Sequence, residues 1–249
     1  MNKIISIFNQ SGGVGKTTLT LNLGYHLSEK NQKVLLIDLD PQGSLTSFMG
    51  IDNTKIERTL APSLLEEEAI LTLKDIHQMD LVPSNIFLSN AELQLVNIDY
   101  REARLKEALS PIQNNYDFIL IDCPPSLSLL TMLALTASTE VLIPIQTQFK
   151  AFLGTSLLIN TIQRVKKRGN QQLQLNGFIP TLYDRRNSQD TRCLNTIKEK
   201  YQTYGKIYPF IPRTTGLADA SEDQLPLALY DPKNKALQAF RLIVQELIL

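Results

Sequence analysis

A chain of 249 residues, 43% of them hydrophobic, has ample material for a buried core, and a formal net charge of zero excludes a uniformly basic or acidic protein. Its two cysteines, Cys123 and Cys193, make neither a disulfide framework nor a zinc-ligand spacing, so a reducing cytoplasm is the expected setting. No apolar run reaches the length of a membrane span, and the first residues read as a strand rather than as a basic segment followed by an apolar one, so neither secretion nor membrane spanning is expected.

In chain order, short apolar and β-branched runs predict strands over 3–8, 33–38, 79–83, 117–122, 140–145, 175–180 and 206–211. Helical spacing fills 17–29, 99–109, 126–137, 151–168 and 188–204. Strands alternating with helices predict an α/β fold: one domain over 1–249, with a mostly parallel, doubly wound sheet covered by helices on both faces and ligands at the carboxyl ends of the strands. The last segment, KALQAFRLIVQELIL, puts Leu237, Phe240, Val244 and Leu247 on one helical face. A membrane-surface helix wants a cationic polar face, yet this one offers only Lys235 and Arg241, opposed by Glu246, so packing against the sheet is expected.

Three strand ends carry the chemistry. After the first strand comes NQSGGVGKTT (9–18), where Gly12, Gly13 and Gly15 let backbone N–H groups converge on phosphate oxygens. Lys16 adds a positive charge, the following helix points its N-terminus at the same anion, and Thr17 supplies a hydroxyl of the type that ligates magnesium. Gln10 stands where a strict phosphate loop has glycine, so the motif is a variant. The second strand ends in VLLIDLDPQGS, with Asp38 and Asp40, and the fourth in DFILIDCPPS, with Asp122. Because Mg²⁺ is usually held by one or two carboxylates plus phosphate oxygens, Asp122 reads as the magnesium-side carboxylate and Asp38 as the group that orients the attacking water.

GGVGKTT, LIDLDPQGS, DFILIDCPPSL, EVLIPIQ, GFIPTLYDRRN, FIPR and LYDP, in this order from about residue 2 to the end, resemble the ParA/MinD family of deviant phosphate-loop ATPases, and closely its small partition type. The resemblance implies ATP and Mg²⁺ as ligands and an ATP-sandwich homodimer that binds DNA without sequence preference. An adaptor protein linked to a cargo would stimulate hydrolysis and release it, which makes the protein cytoplasmic and nucleoid-associated, with no membrane partner. It further implies that Ser11, Gly12, Gly13, Val14, Gly15, Lys16, Thr17, Thr18 and Gln42 surround the nucleotide, that Thr17 and Asp122 serve the metal, that Lys16 and Asp38 are catalytic, and that Pro212 and Arg213 hold the adenine. Three branches of the family are disfavoured. About nine residues before the loop leave no room for a helix-turn-helix domain, the cysteines do not make a cluster pair, and a basic amphipathic tail is missing.

One position departs from the pattern. Ser11 replaces the lysine that reaches the partner's nucleotide in the family, and a short neutral hydroxyl cannot replace a long cation. Lys150, in the loop after the fifth strand, is the candidate for a relocated trans lysine; the alternative is a surface lysine at a helix start. The serine also makes the chain similar to the cyanobacterial carboxysome-positioning ATPases of the family, with plasmid or chromosome partition as the rival reading.

Charge is uneven along the chain: residues 1–150 carry 11 Lys+Arg against 17 Asp+Glu, and residues 151–249 carry 14 against 8. The DNA candidates are Arg164, Lys166, Lys167 and Arg168, then Arg185, Arg186 and Arg192, then Lys198 and Lys200. No base-reading motif is visible, and the stretch IPRTTGLAD has Gly216 where small partition ATPases often place a DNA-binding arginine. A metabolic ligase built on the same loop and a membrane-surface ATPase are the readings from other classes.

Overall fold

The computed structural model describes residues 2–57, 59–149 and 151–249, with the side chains of 151–153 excepted. From the N-terminus run β1 (Lys3–Ile7), α1 (Lys16–Ser28), β2 (Val34–Asp38), α2 (Ser44–Phe48), α3 (Ala61–Leu65), β3 (Leu73–Ile76), β4 (Met79–Val82) and α4 (Phe87–Leu95). They are followed by α5 (Arg104–Leu109), β5 (Phe118–Asp122), α6 (Leu129–Ala137), β6 (Glu140–Gln146), α7 (Ala151–Arg168), β7 (Gln174–Thr181) and α8 (Ser188–Tyr201). The chain closes with β8 (Lys206–Ile207), α9 (Gly216–Glu222), α10 (Leu227–Tyr230) and α11 (Leu237–Ile248).

The strands form one eight-stranded sheet in the order β3-β4-β2-β5-β1-β6-β7-β8, parallel throughout except for the β3–β4 pair. Strand alternation sends successive side chains to opposite faces. Ile4, Leu35, Ile37, Ile119 and Ile121 meet α3 to α8, whereas Ile5, Ile7, Leu36, Phe118 and Leu120 meet α1, α2 and α9 to α11. Both faces are covered, so the central strands are continuous apolar runs, as parallel sheets require. From β1 the chain moves to one side for β2 and β4 and to the other for β6, β7 and β8, so the crevice where the order reverses opens at the carboxyl end of β1.

Two local differences from the sequence reading have clear causes. The strand expected at 79–83 is β4, but its partner β3 escapes prediction because the turn between them is built from His77 (φ 51°) and Gln78 (φ 65°), left-handed residues without the glycine or asparagine that signals a hairpin. The predicted strand 206–211 is a ladder only at 206–207, because Pro209 and Pro212 cannot donate. The segment nevertheless follows β7: the N–H groups of Tyr208, Ile211 and Arg213 donate to the carbonyls of Phe178, Pro180 and Tyr183 at 2.9, 2.8 and 2.9 Å.

The C-terminal helix packs inward. Leu237, Phe240, Ile243, Val244 and Leu247 are buried, Phe240 stacks on His26 of α1 at 6.0 Å, and Lys3 Nζ donates to the Leu247 carbonyl at 2.6 Å. Among the described residues no helix is long and apolar enough to cross a membrane. Ile243→Ala should therefore cost ~2–5 kcal/mol in urea unfolding, whereas Leu242→Ala, at a position 42% exposed, should change stability by less than ~0.5 kcal/mol. Equal effects would mean that the inward face has been misassigned.

Candidate active site

The site grows from strand register. Ile7 pairs with Asp122, and Asp122 pairs with Asp38, so three adjacent parallel strands end side by side at the residues that precede or carry the chemistry. After Ile7 the chain turns through the glycine loop into α1. Gly13 and Gly15 have φ of 70° and 90°, a region that a side chain would strain. A Cβ added at Gly12, Gly13 or Gly15 would meet no protein atom within 4 Å, so the loop presents bare backbone to open space.

Side chains fix this loop from behind. Asn9 donates to the Pro144 carbonyl at 2.6 Å and accepts from Ser11 N–H at 2.9 Å, while Thr181 Oγ1 donates to the Val14 carbonyl at 2.9 Å. Lys16 is 93% buried, its ammonium donating to the Ser11 carbonyl at 2.9 Å. Burial pulls its pKa below the ordinary lysine range while the Asp122 charge opposes that shift, so an anion at the loop favours the charged form.

Asp122 and Asp38 are both shut away from water, at 1% and 0% exposure. Asp122 accepts from Thr17 Oγ1 at 2.7 Å, and burial together with the Asp38 charge raises its pKa well above the carboxylate range. Asp38 Oδ2 accepts two bonds from Thr46, from N–H at 2.8 Å and from Oγ1 at 2.7 Å, and Oδ1 accepts from Asp40 N–H at 3.2 Å. Burial pushes the Asp38 pKa up to about 7 against the pull of those bonds. The Thr17 hydroxyl, which lines the cavity, and the buried Asp122 carboxylate bonded to it are hard oxygen donors beside the glycine loop, and this set fits Mg²⁺, which takes few protein ligands and completes its shell with phosphate oxygens and water. When bound, the ion neutralises phosphate charge; Thr17 and Asp122 would hold it.

A cavity of about 670 Å³ opens on the loop. Gly12, Gly13, Gly15, Lys16, Thr17 and Thr18 line it, together with Thr181, Leu182, Ile211, Thr214, Leu217 and Ser221 from later in the chain. Sequence reasoning missed this second group, since their spacing shows no pattern until β7 and α9 are folded beside α1. The structure brings Lys16, Thr17, Thr18, Asp38 and Asp122 to one end of the sheet. It turns Pro212 and Arg213 away from this cavity, into a neighbouring cleft. Val14 is buried beneath the loop, Ser11 is exposed, and Gln42 is exposed with its N–H on Asp40 Oδ1 at 2.9 Å. Lys150 lies outside the described residues. Arg164, Lys166, Lys167 and Arg168 are exposed on α7, Arg192, Lys198 and Lys200 on α8, and Arg185 and Arg186 in the loop between β7 and α8.

The buried carboxyls predict a pH dependence. Asp38 has a pKa near 3.8 when unfolded and about 7 in the fold, so its favourable contribution is complete below about pH 4 and is lost as pH rises through about 7. Asp38→Asn should therefore gain stability over the native chain as pH climbs from about 4 to about 8, by on the order of 2–4 kcal/mol. Urea unfolding of the nucleotide-free protein across that range measures it, and a difference that does not change with pH would refute the assignment.

Residues 2–175 match the family model described as AAA domain. Sporulation initiation inhibitor protein Soj of Bacillus subtilis is 39% identical over 99% of this chain and 98% of its own length, and chromosome partitioning protein ParA of Myxococcus xanthus is 38% identical over 100% and 88%. Among solved structures, the cobyrinic acid a,c-diamide synthase of Mycobacterium smegmatis with bound ADP and magnesium superposes with a TM-score of 0.88 at 34% identity, covering 100% of this chain and 94% of that one. A Cyanothece McdA–ATP complex superposes with a TM-score of 0.87 at 25% identity, covering 99% and 96%. With a glycine cradle, a buried lysine and two strand-end carboxylates arranged as described, and with these full-length relatives, the chain belongs to the ParA/MinD family and is an ATPase that uses ATP and Mg²⁺.

Proposed function

We propose that the protein is an ATP-driven positioning switch in which residues 1–249 act as one unit. Two copies close on ATP into a sandwich dimer, the dimer attaches to nucleoid DNA through phosphate contacts without reading bases, and an adaptor protein stimulates hydrolysis and releases it. The observation that carries the link between nucleotide and DNA is a shared wall. Ile211 and Thr214 face the nucleotide cavity, whereas Pro212 and Arg213, between them, face a cleft of about 900 Å³. That cleft gathers Arg185, Arg186, Arg213, Lys233, Lys235 and Arg241, with Asp184 the one acid among its described lining residues. Asp184 pairs with Arg186 at 3.0 Å, and Arg185 lies over the Phe210 ring at 5.7 Å. A cationic groove whose wall is also the wall of the ATP site suits control of DNA attachment by nucleotide.

For cargo, the ParA relative of Myxococcus xanthus favours a chromosome, and plasmid partition is its variant. Ser11 favours a carboxysome instead, a reading supported by McdA at lower identity. The Mycobacterium smegmatis neighbour favours a third, metabolic reading. ATP turnover that responds to a polycarboxylic acid and an ammonia donor but not to DNA would select it.

Binding to random-sequence duplex DNA should require ATP, fail with ADP, and weaken with salt at a log–log slope of about −0.9 per phosphate contact. Replacing Arg185 and Lys235 by alanine should flatten that slope by about 2. Absence of ATP-dependent retention at every salt concentration would remove the DNA reading. For the missing trans cation, Lys150→Ala should abolish ATP-dependent dimerisation while Lys166→Ala leaves it intact; equal behaviour of the two would show that Lys150 is a surface lysine.

A further inference from the structure

Both bonds that fix Asp38 Oδ2 come from one residue. Thr46, fully buried, donates its N–H and its hydroxyl to that oxygen at 2.8 and 2.7 Å. The hydroxyl oxygen in turn accepts from Ser84 N–H at 2.9 Å. A hydroxyl has a single hydrogen, so with Ser84 on a lone pair the hydrogen is committed to Asp38. The result is a directed chain, Ser84 N–H to Thr46 Oγ1–H to Asp38 Oδ2. The loop after β4 is held in place for this: at Gly43 (φ 63°) a Cβ would lie 2.9 Å from the Ser84 carbonyl oxygen, so only glycine lets the two segments approach.

Rotation of a carboxylate about its last torsion is soft and roughly two-fold. Two donors on Oδ2 remove that freedom and leave Oδ1, with its single longer bond of 3.2 Å from Asp40 N–H, as the less committed oxygen. Neither Thr46 nor Asp38 lines the nucleotide cavity; Asp40, whose N–H bonds Asp38 Oδ1, does. We infer that Thr46 is a positioning residue for ATP hydrolysis: it locks Asp38 Oδ2 and leaves Oδ1, buried beside the cavity-lining Asp40, as the oxygen that orients the attacking water once nucleotide is bound. The inference rests on Asp38 being the water-orienting carboxylate.

Steady-state turnover of Mg–ATP tests both. Thr46→Val keeps the shape but removes the hydroxyl. It should lower kcat by roughly tenfold or more with the KM for ATP within about twofold. Thr46→Ser should restore most of the rate, and in an Asp38→Ala background Thr46→Val should add no further loss. Thr46→Ala supplies the same comparison should the valine variant not fold. An unchanged kcat, a parallel loss of kcat and ATP affinity, or failure of serine to rescue would overturn the role of Thr46 while leaving Asp38 in place. Native turnover in Asp38→Ala alone would overturn the reading of Asp38 itself.

Discussion

Everything at the active end depends on the burial of two carboxylates at the ends of neighbouring parallel strands. Asp38 and Asp122 face each other in register, with Ile7 completing the row. Removing like charges from water this close together is costly unless each finds donors. The structure supplies them locally: Thr17 for Asp122, Thr46 and the Asp40 amide for Asp38, and the Lys16 charge nearby. Burial still wins, since both pKa values are raised. A cation beside the pair favours the charged carboxylates, and magnesium held by Thr17 and Asp122 would supply that charge.

The glycine loop is the other half of the same arrangement. Left-handed Gly13 and Gly15 expose backbone N–H groups, while Asn9, Thr181 and Lys16 tie the loop to β6, to β7 and to itself. Lys16 rests on the Ser11 carbonyl, an acceptor it can exchange for phosphate without leaving the loop. The cradle is thus shaped in advance, and binding energy is not consumed in building it.

Beyond the phosphates, the fold makes one short segment serve two surfaces. Residues 208–213 run along β7 without a full ladder because two prolines interrupt it, so the segment departs from regular strand alternation. Ile211 and Thr214 reach the nucleotide cavity while Arg213 reaches the cationic cleft. In α11, Phe240 borders the first and Arg241 the second.

Local sequence determined the central strands, the phosphate loop and the strand-end positions of the two aspartates, because apolar runs, glycines and strand-end carboxylates carry their physics in adjacent residues. It also indicated that the last helix packs inward, from the scarcity of cations on its polar face. It was silent on Thr46, which meets Asp38 only because α2 folds back beside the end of β2, and on the hairpin turned by His77 and Gln78. Residues 211–214 divide between two surfaces, Ile211 and Thr214 lining the cavity and Pro212 and Arg213 the cleft, a division that the path of the segment along β7 decides and no local pattern announces. Charge counts located a basic half of the chain, yet only tertiary structure joined Arg185 and Arg186 to Lys233, Lys235 and Arg241, residues separated in sequence and brought to one cleft by the packing of α11. What one strand and its loop can do was written in the sequence; which residues meet across strands was decided by the sheet.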